Sequence, residues 1–215
     1  MREESRKNIC MGSCMLGAFL LWTAAIQLID VQAIGPLGST VGFASLNRFI
    51  HNLTGVRMSL YIITDWLGLV PFGFVIGFAV LGLVQWIKRK HFLKVDYNIL
   101  VLGGFYILVL AAYMLFEVYA VNYRPVLINN HLEVSYPSST TMLVMCVMST
   151  AAIQFQMRIR NQLLKQAVII LIVAFIVFMV TGRLISGVHW ITDIIGGAFL
   201  SAGLVLLYRG IIRLK

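Results

Sequence analysis

Arg183, His189 and Asp193 lie together in the short segment 182–193 of a 215-residue chain. His189 and Asp193 are four residues apart, a spacing that puts two side chains on one face of a helix. A carboxylate so placed accepts a hydrogen bond from one imidazole nitrogen, fixes the tautomer, and leaves the other nitrogen as nucleophile or base. Arg183 then offers a planar fork to an anion, and phosphate is the anion that fits it best. A lone histidine there would read as a structural ion pair at a helix end. Arginine, histidine and aspartate together beside apolar segments read as a site.

Upstream, Tyr136-Pro137-Ser138-Ser139-Thr140-Thr141 opens another apolar run. Proline followed by hydroxyl residues is a helix-start signal, because Ser and Thr side chains cap free backbone N–H groups. Capping alone suffices for this run taken by itself. The same N–H groups, at the positive end of the helix dipole, also form an anion site. Arg124-Pro125 supplies a second guanidinium shortly before it.

The elements that must position these residues are membrane spans. Hydrophobic residues make up 60% of the chain and charged ones 12%, against about 45–50% and 25% in soluble domains. Six apolar stretches have spanning length: approximately Ile9 to Ile29, Trp66 to Ile87, Ile99 to Val118, Ser138 to Gln156, Leu163 to Leu184, and Trp190 to Tyr208. The expected fold is all-α, a six-helix transmembrane bundle forming a single domain over 1–215, with any chemistry built from helix ends and loops. Arg2, Arg6 and Lys7 before the first run would also suit a secretory signal, but its length favours an uncleaved anchor.

Thirteen of the 17 Lys and Arg residues fall in the two tails and in the loops after spans two and four. Both termini are therefore expected in the cytoplasm. The net charge of +9 is a topology signal plus attraction to anionic lipid headgroups, with no nucleic-acid partner implied. Arg48, Arg57, Arg124 and Arg183 remain for the outer side. The long first outer loop, Val31 to Asp65, has Phe43, Leu46, Phe49, Ile50 and Leu53 at mixed helical spacing; an interfacial helix and an ordered loop packed over the bundle fit it equally. Cys10, Cys14 and Cys146 follow neither a disulfide nor a metal pattern, and no ligand-spaced cluster implies a metal or other cofactor. A transporter, with Asp30, Asp65 and Glu117 as coupling residues at span edges, is a weaker reading because no paired broken helices are visible.

The order Arg-Pro, Pro-Ser-x-x, then Arg-x5-His-x3-Asp, on a six-span chain, resembles the phosphatidic acid phosphatase type 2 superfamily of membrane lipid phosphatases. Its motifs are K-x6-R-P, P-S-G-H and S-R-x5-H-x3-D, and the resemblance runs from about Glu117 to Asp193. The third motif matches at Arg183, His189 and Asp193, with Gly182 in place of the leading serine. Arg124 and Pro125 match the first, but Glu117 stands where the family has lysine. Pro137 and Ser138 match the second, with Ser139 for glycine and Thr140 for histidine.

The resemblance implies that His189 attacks phosphorus and forms a phosphohistidine, oriented by Asp193. It implies that Arg124, Arg183, Ser138 and the backbone at Ser139 hold the phosphoryl oxygens. The family's second-motif histidine protonates the leaving group, a role Thr140 cannot fill at neutral pH. His131, in the same outer loop, is a substitute candidate, although an exposed loop histidine is the plainer reading. The implied function is hydrolysis of a lipid phosphate or diphosphate, best undecaprenyl diphosphate, at the extracytoplasmic face of the plasma membrane, without metal. The alternative is a weak or inactive homologue that binds lipid phosphates or scaffolds membrane partners, suggested by Glu117 and Thr140.

Overall fold

The computed structural model describes residues 2–214. Eight α-helices carry the fold: α1 (Arg2–Leu28), α2 (Ala44–Thr54), α3 (Met58–Leu67), α4 (Val70–Arg89), α5 (Tyr97–Val118), α6 (Ser139–Arg158), α7 (Gln162–Ile185) and α8 (Ile191–Ile212). Six helical segments are long and apolar enough to cross a membrane, with α3 and α4 counting as one run from Met58 to Arg89. The expected all-α, six-span, multi-pass membrane architecture is therefore the one observed. The second span differs, since it begins at Met58 and not near Trp66. Asp65 reads as a boundary in the sequence, whereas in the fold it sits inside α3, where Arg183 neutralises it.

Helices α6 and α8 are the central pair, with more of their surface buried than any other span. Helix α8 packs along α1 through small residues. Gly12 lies against Gly203, and Ser5 Oγ donates to Gly210 O at 2.6 Å. Close backbone approach of this kind is how apolar helices associate without a solvent-driven hydrophobic force. Phe19, Phe105, Met142, Leu200, Leu204 and Tyr208 form the main core. Val144, Met148, Ile172 and Met179 join α6 to α7.

The Ser5–Gly210 bond and the Glu4–Arg213 ion pair put both ends of the chain at one end of the bundle. Asp96, before α5, pairs with Arg89 at 2.9 Å and Arg158 at 3.6 Å, gathering the helix ends of that side. The opposite end holds Arg124 and Arg183. There α2 is a helix and it packs on the start of α8, so the first outer loop has the helix of one reading and the contact with the bundle of the other. It turns Asn47 inward, where it hydrogen-bonds Gly42 O and Thr192, and leaves Leu46, Phe49 and Leu53 exposed.

Candidate active site

The segment between α5 and α6 folds back on itself. Asn129 and Asn130 both have positive φ, 49° and 64°, the backbone of a two-residue turn whose twist suits paired strands. Asparagine tolerates this region because its short polar side chain bonds locally. The turn sets the register: Arg124 N donates to Glu133 O at 3.0 Å, and Ser135 N to Asn122 O at 2.9 Å. Tyr136 then anchors the segment, its ring stacked on Phe19 and packed against Gly196, its hydroxyl 2.7 Å from Thr23 Oγ1. Asn122, Arg124 and Ser135 are thereby fixed over the start of α8.

His189 lies ahead of that helix, which begins at Ile191, so the expected shared helical face does not exist. His189 Nδ1 and Asp193 Oδ2 are 3.9 Å apart, too far for a hydrogen bond. Ser135 fills the gap. Its Oγ is 3.0 Å from His189 Nδ1 and donates to Asp193 Oδ2 at 2.5 Å. With the Ser135 proton on the carboxylate side, Nδ1–H donates to Oγ and Nε2 carries the lone pair. The direct His–Asp contact drawn from the spacing is thus replaced by a three-residue chain.

Asp193 is fully buried and is held by further donors, Trp190 N at 2.9 Å and Asn122 Nδ2 at 3.3 Å. A buried carboxylate without such partners would be strongly unfavourable. His189 is 3% exposed. Burial, reinforced by the charges of Arg124 and Arg183, holds its imidazole well below the usual histidine range. It is neutral at pH 7, and Arg124 Nη1 lies 3.5 Å from Nε2.

The second guanidinium is built from another direction. Arg183, near the end of α7, is 2% exposed; its Nη2 donates to Thr140 Oγ1 at 2.6 Å and to Asp65 Oδ1 at 3.3 Å, and its Nη1 to Thr64 Oγ1 at 3.4 Å. Its Nε has no hydrogen-bond partner among the described residues. Tyr61 of α3 lies under both arginines, with Arg183 Cζ 4.9 Å and Arg124 Cζ 5.7 Å from the ring centroid. An aromatic face eases the repulsion between two neighbouring cations. Arg124 is also paired through Nε with Glu133 at 3.0 Å.

Glycine explains how α3 reaches this position. Gly187 has φ of +68°, and a Cβ there would fall 1.9 Å from Gly55 O, so only glycine lets the 55–57 segment lie across the α7–α8 turn. Arg57 N then donates to Ser186 O at 2.9 Å. At Gly182, a Cβ would meet Thr64 Cγ2 at 2.8 Å. The glycine at the start of the third motif is therefore the packing partner of α3.

The sequence candidates Arg124, Arg183, His189 and Asp193 thus converge, with Thr140 on Arg183. Ser138 is fully buried at the start of α6, where its Oγ accepts from Thr141 N at 3.5 Å and its own N–H donates to Asp193 O at 3.1 Å. Ser139 lines a small cavity of about 20 Å³ with Glu117, Ser135 and Tyr136. His131 is not part of the cluster. It sits exposed at the hairpin turn, its backbone bonded to Ile128. Sequence reasoning missed Ser135, Asn122, Tyr61 and Thr64, and placed Asp65 only at a span edge. The Asn129-Asn130 turn signal would have paired Asn122 with Ser135.

The model of the PAP2 superfamily matches residues 118–214. No curated protein matches the chain. Among solved structures, one described as the crystal structure of the first transmembrane PAP2 type phosphatidylglycerolphosphate phosphatase from Bacillus subtilis is similar in fold. The similarity has a TM-score of 0.59 and 21% sequence identity and covers 93% of each chain.

Proposed function

Residues 118–214 match the PAP2 superfamily model, and from that premise we propose that the chain is a member of that superfamily, a single-domain integral-membrane lipid phosphatase working through a phosphohistidine at His189. The observation that carries this reading is the buried His189–Ser135–Asp193 chain ending beside two guanidiniums.

In the first half-reaction Nε2 attacks phosphorus and the bond to the leaving oxygen breaks. The imidazole becomes cationic as the N–P bond forms. Its Nδ1–H, held by Ser135 and through it by Asp193, carries that charge toward a buried carboxylate already in place, so little reorganisation is needed. Arg124 moves from Nε2 onto phosphoryl oxygens, and Arg183 Nε and the N–H groups at the start of α6 supply further donors.

The missing second-motif histidine sets the substrate preference. A phosphate monoester expels an alkoxide, the conjugate base of an acid about as weak as water, and so needs a proton to leave. A lipid diphosphate expels a lipid monophosphate, with a relevant pKa near about 6 by analogy with phosphorylated side chains. The latter leaves without an acid, so a lipid diphosphate such as undecaprenyl diphosphate is the preferred substrate class. The Bacillus subtilis structure is described as acting on a monoester, phosphatidylglycerolphosphate; Thr140 is the reason to expect a different preference here. The distribution of basic residues favours this end of the bundle lying outside, and the proposed location is the extracytoplasmic face of the plasma membrane.

The test is phosphate release by purified protein in detergent, with chelator present, from undecaprenyl diphosphate, phosphatidic acid and phosphatidylglycerolphosphate, beside His189→Ala. Hydrolysis of the diphosphate that the variant abolishes supports the reading. Equal or faster turnover of either monoester overturns the preference, and strict dependence on added magnesium overturns the metal-free mechanism. A second reading, a lipid-phosphate binder without turnover, is favoured by Thr140 and Glu117, which stand where the resembled motifs have the leaving-group acid and a cation. Absence of hydrolysis above the His189→Ala background would put it first.

A further inference from the structure

A phosphohistidine is productive only if water removes the phosphoryl group. That water approaches opposite the P–N bond and must lose a proton to become hydroxide-like as it attacks. The His189–Ser135–Asp193 chain cannot take this proton. It lies behind the nucleophile, and Asp193 is fully buried.

The contacts between the side chains run in one order. His189 Nε2 touches Arg124; Arg124 and Arg183 share the Tyr61 ring; Arg183 Nη2 carries both Thr140 Oγ1 and Asp65 Oδ1. The nucleophile is at one end, the two phosphate-binding cations are in the middle, and Asp65 with Thr140 is at the other end. A phosphoryl group held by the two guanidiniums would have Nε2 on one side and Asp65 on the other. Thr140 is not basic enough to accept a proton at neutral pH. The other carboxylates are placed differently: Glu133 sits on Arg124, at the nucleophile's end, and Glu117 faces the small cavity beside Ser139. The Asp65 side chain is 58% exposed and lies toward the arginine-bearing end of the bundle, so it is not sealed inside the protein and a captured proton has a way out.

We propose that Asp65 of α3 is the general base of the second half-reaction, a role that rests on the phosphohistidine reading above. Water oxygen bonds to phosphorus, the P–N bond breaks with its electron pair returning to Nε2, and the water proton passes to the Asp65 carboxylate. Orthophosphate departs, and Asp65 releases the proton to solvent. The ion pair with Arg183 holds the carboxylate beside the phosphoryl-binding guanidinium, and the base enters from the first outer loop, outside all three motifs.

The experiment is rapid-quench kinetics on the full-length protein in detergent, using undecaprenyl diphosphate labelled in its terminal phosphoryl group. Wild type, Asp65→Asn, Asp65→Glu and His189→Ala are compared, with label on protein counted after alkaline quench. Asp65→Asn is expected to form phosphoenzyme within about threefold of the wild-type rate but to hydrolyse it about 10²- to 10⁴-fold more slowly. The first turnover then releases one equivalent of lipid monophosphate, and label accumulates on His189. Asp65→Glu, which keeps a carboxylate, recovers most of the hydrolysis rate. If Asp65→Asn slows formation and hydrolysis alike, Asp65 merely positions Arg183 and the proposal fails. Unchanged turnover refutes it as well. If wild type releases phosphate while neither it nor Asp65→Asn acquires alkali-stable label, the phosphohistidine reading itself falls, and the base assignment with it. If wild type neither releases phosphate nor acquires label, the lipid-phosphatase reading falls, and both assignments with it.

Discussion

Replacing Ser135 by alanine tests the three-residue chain most directly. Removing Oγ leaves His189 Nδ1 and Asp193 Oδ2 3.9 Å apart, beyond hydrogen-bond reach. The imidazole N–H loses its acceptor just when the ring must carry positive charge, and Asp193 loses its closest donor, at 2.5 Å. A hydrogen bond to a charged group is worth about 1.5–3 kcal/mol. At about 1.4 kcal/mol per tenfold in rate, phosphoenzyme formation should fall by about 10- to 150-fold. Substrate binding, which rests on the arginines, should change little, so the loss falls on kcat and not on KM. Single-turnover quench measurements give the rate, and the double variant Ser135→Ala/Asp193→Asn gives the coupling. If Ser135 is the only path from Asp193 to His189, the double variant is no slower than the slower single one. A Ser135→Ala rate within about twofold of wild type, or two effects that simply multiply, would refute the relay.

The burial and neighbouring cations that hold the His189 imidazole below its ordinary value of 6.5 fix the sign of a pH effect. Protonation removes the lone pair, so kcat/KM should be flat from pH 8 to below 6.5 and fall only in more acid buffer, and Arg124→Gln should move that acid limb upward. The unfolded chain binds the extra proton first, so the bundle also loses stability as pH drops below 6.5; a limb at or above the ordinary value would contradict the assignment. Restoring the family serine with Gly182→Ser forces atoms against Thr64 Cγ2, which a Cβ would approach to 2.8 Å. Overpacking costs about 1–3 kcal/mol, so Tm in detergent should fall, and adding Thr64→Ser, which deletes Cγ2, should recover it. Failure of the second substitution to rescue would show that the glycine serves another purpose.

The spans and the third motif are legible in the sequence because both are local. A membrane span declares itself by an unbroken apolar run, and Arg183, His189 and Asp193 sit at a fixed spacing. What is not legible comes from contacts across the chain. The direct His189–Asp193 bond follows from helical periodicity, and it fails because His189 precedes Ile191, where the helix starts. Ser135 enters through a register set by two positive-φ asparagines. The Asp65 ion pair hides a helix start, since a charge beside an apolar run looks like the edge of a span until its partner, 118 positions away, is known. His131 shows the converse: proximity in sequence to two motifs places it at a hairpin tip, outside the site.

The carboxylates around the arginines separate a catalyst from a binding protein. Asp65 and Glu133 each neutralise a guanidinium, yet their side chains are 58% and 40% exposed. The arginine side chains are only 2% and 9% exposed, so neither guanidinium can be left bare; a phosphoryl group takes over part of that charge as the more exposed carboxylates shift aside. Asp193 is fully buried and cannot be exchanged. Its desolvation is offset by hydrogen bonds from Ser135, Asn122 and Trp190 N, and through Ser135 it acts on His189. A protein that only held lipid phosphates would bind them more tightly without Asp65 and Glu133, and would gain nothing from a buried carboxylate whose one outward connection is an imidazole. Weakened anion binding combined with a costly, fully satisfied support for Nε2 favours turnover over retention: the phosphoryl group is taken onto nitrogen, and the product meets competing carboxylates that help release it.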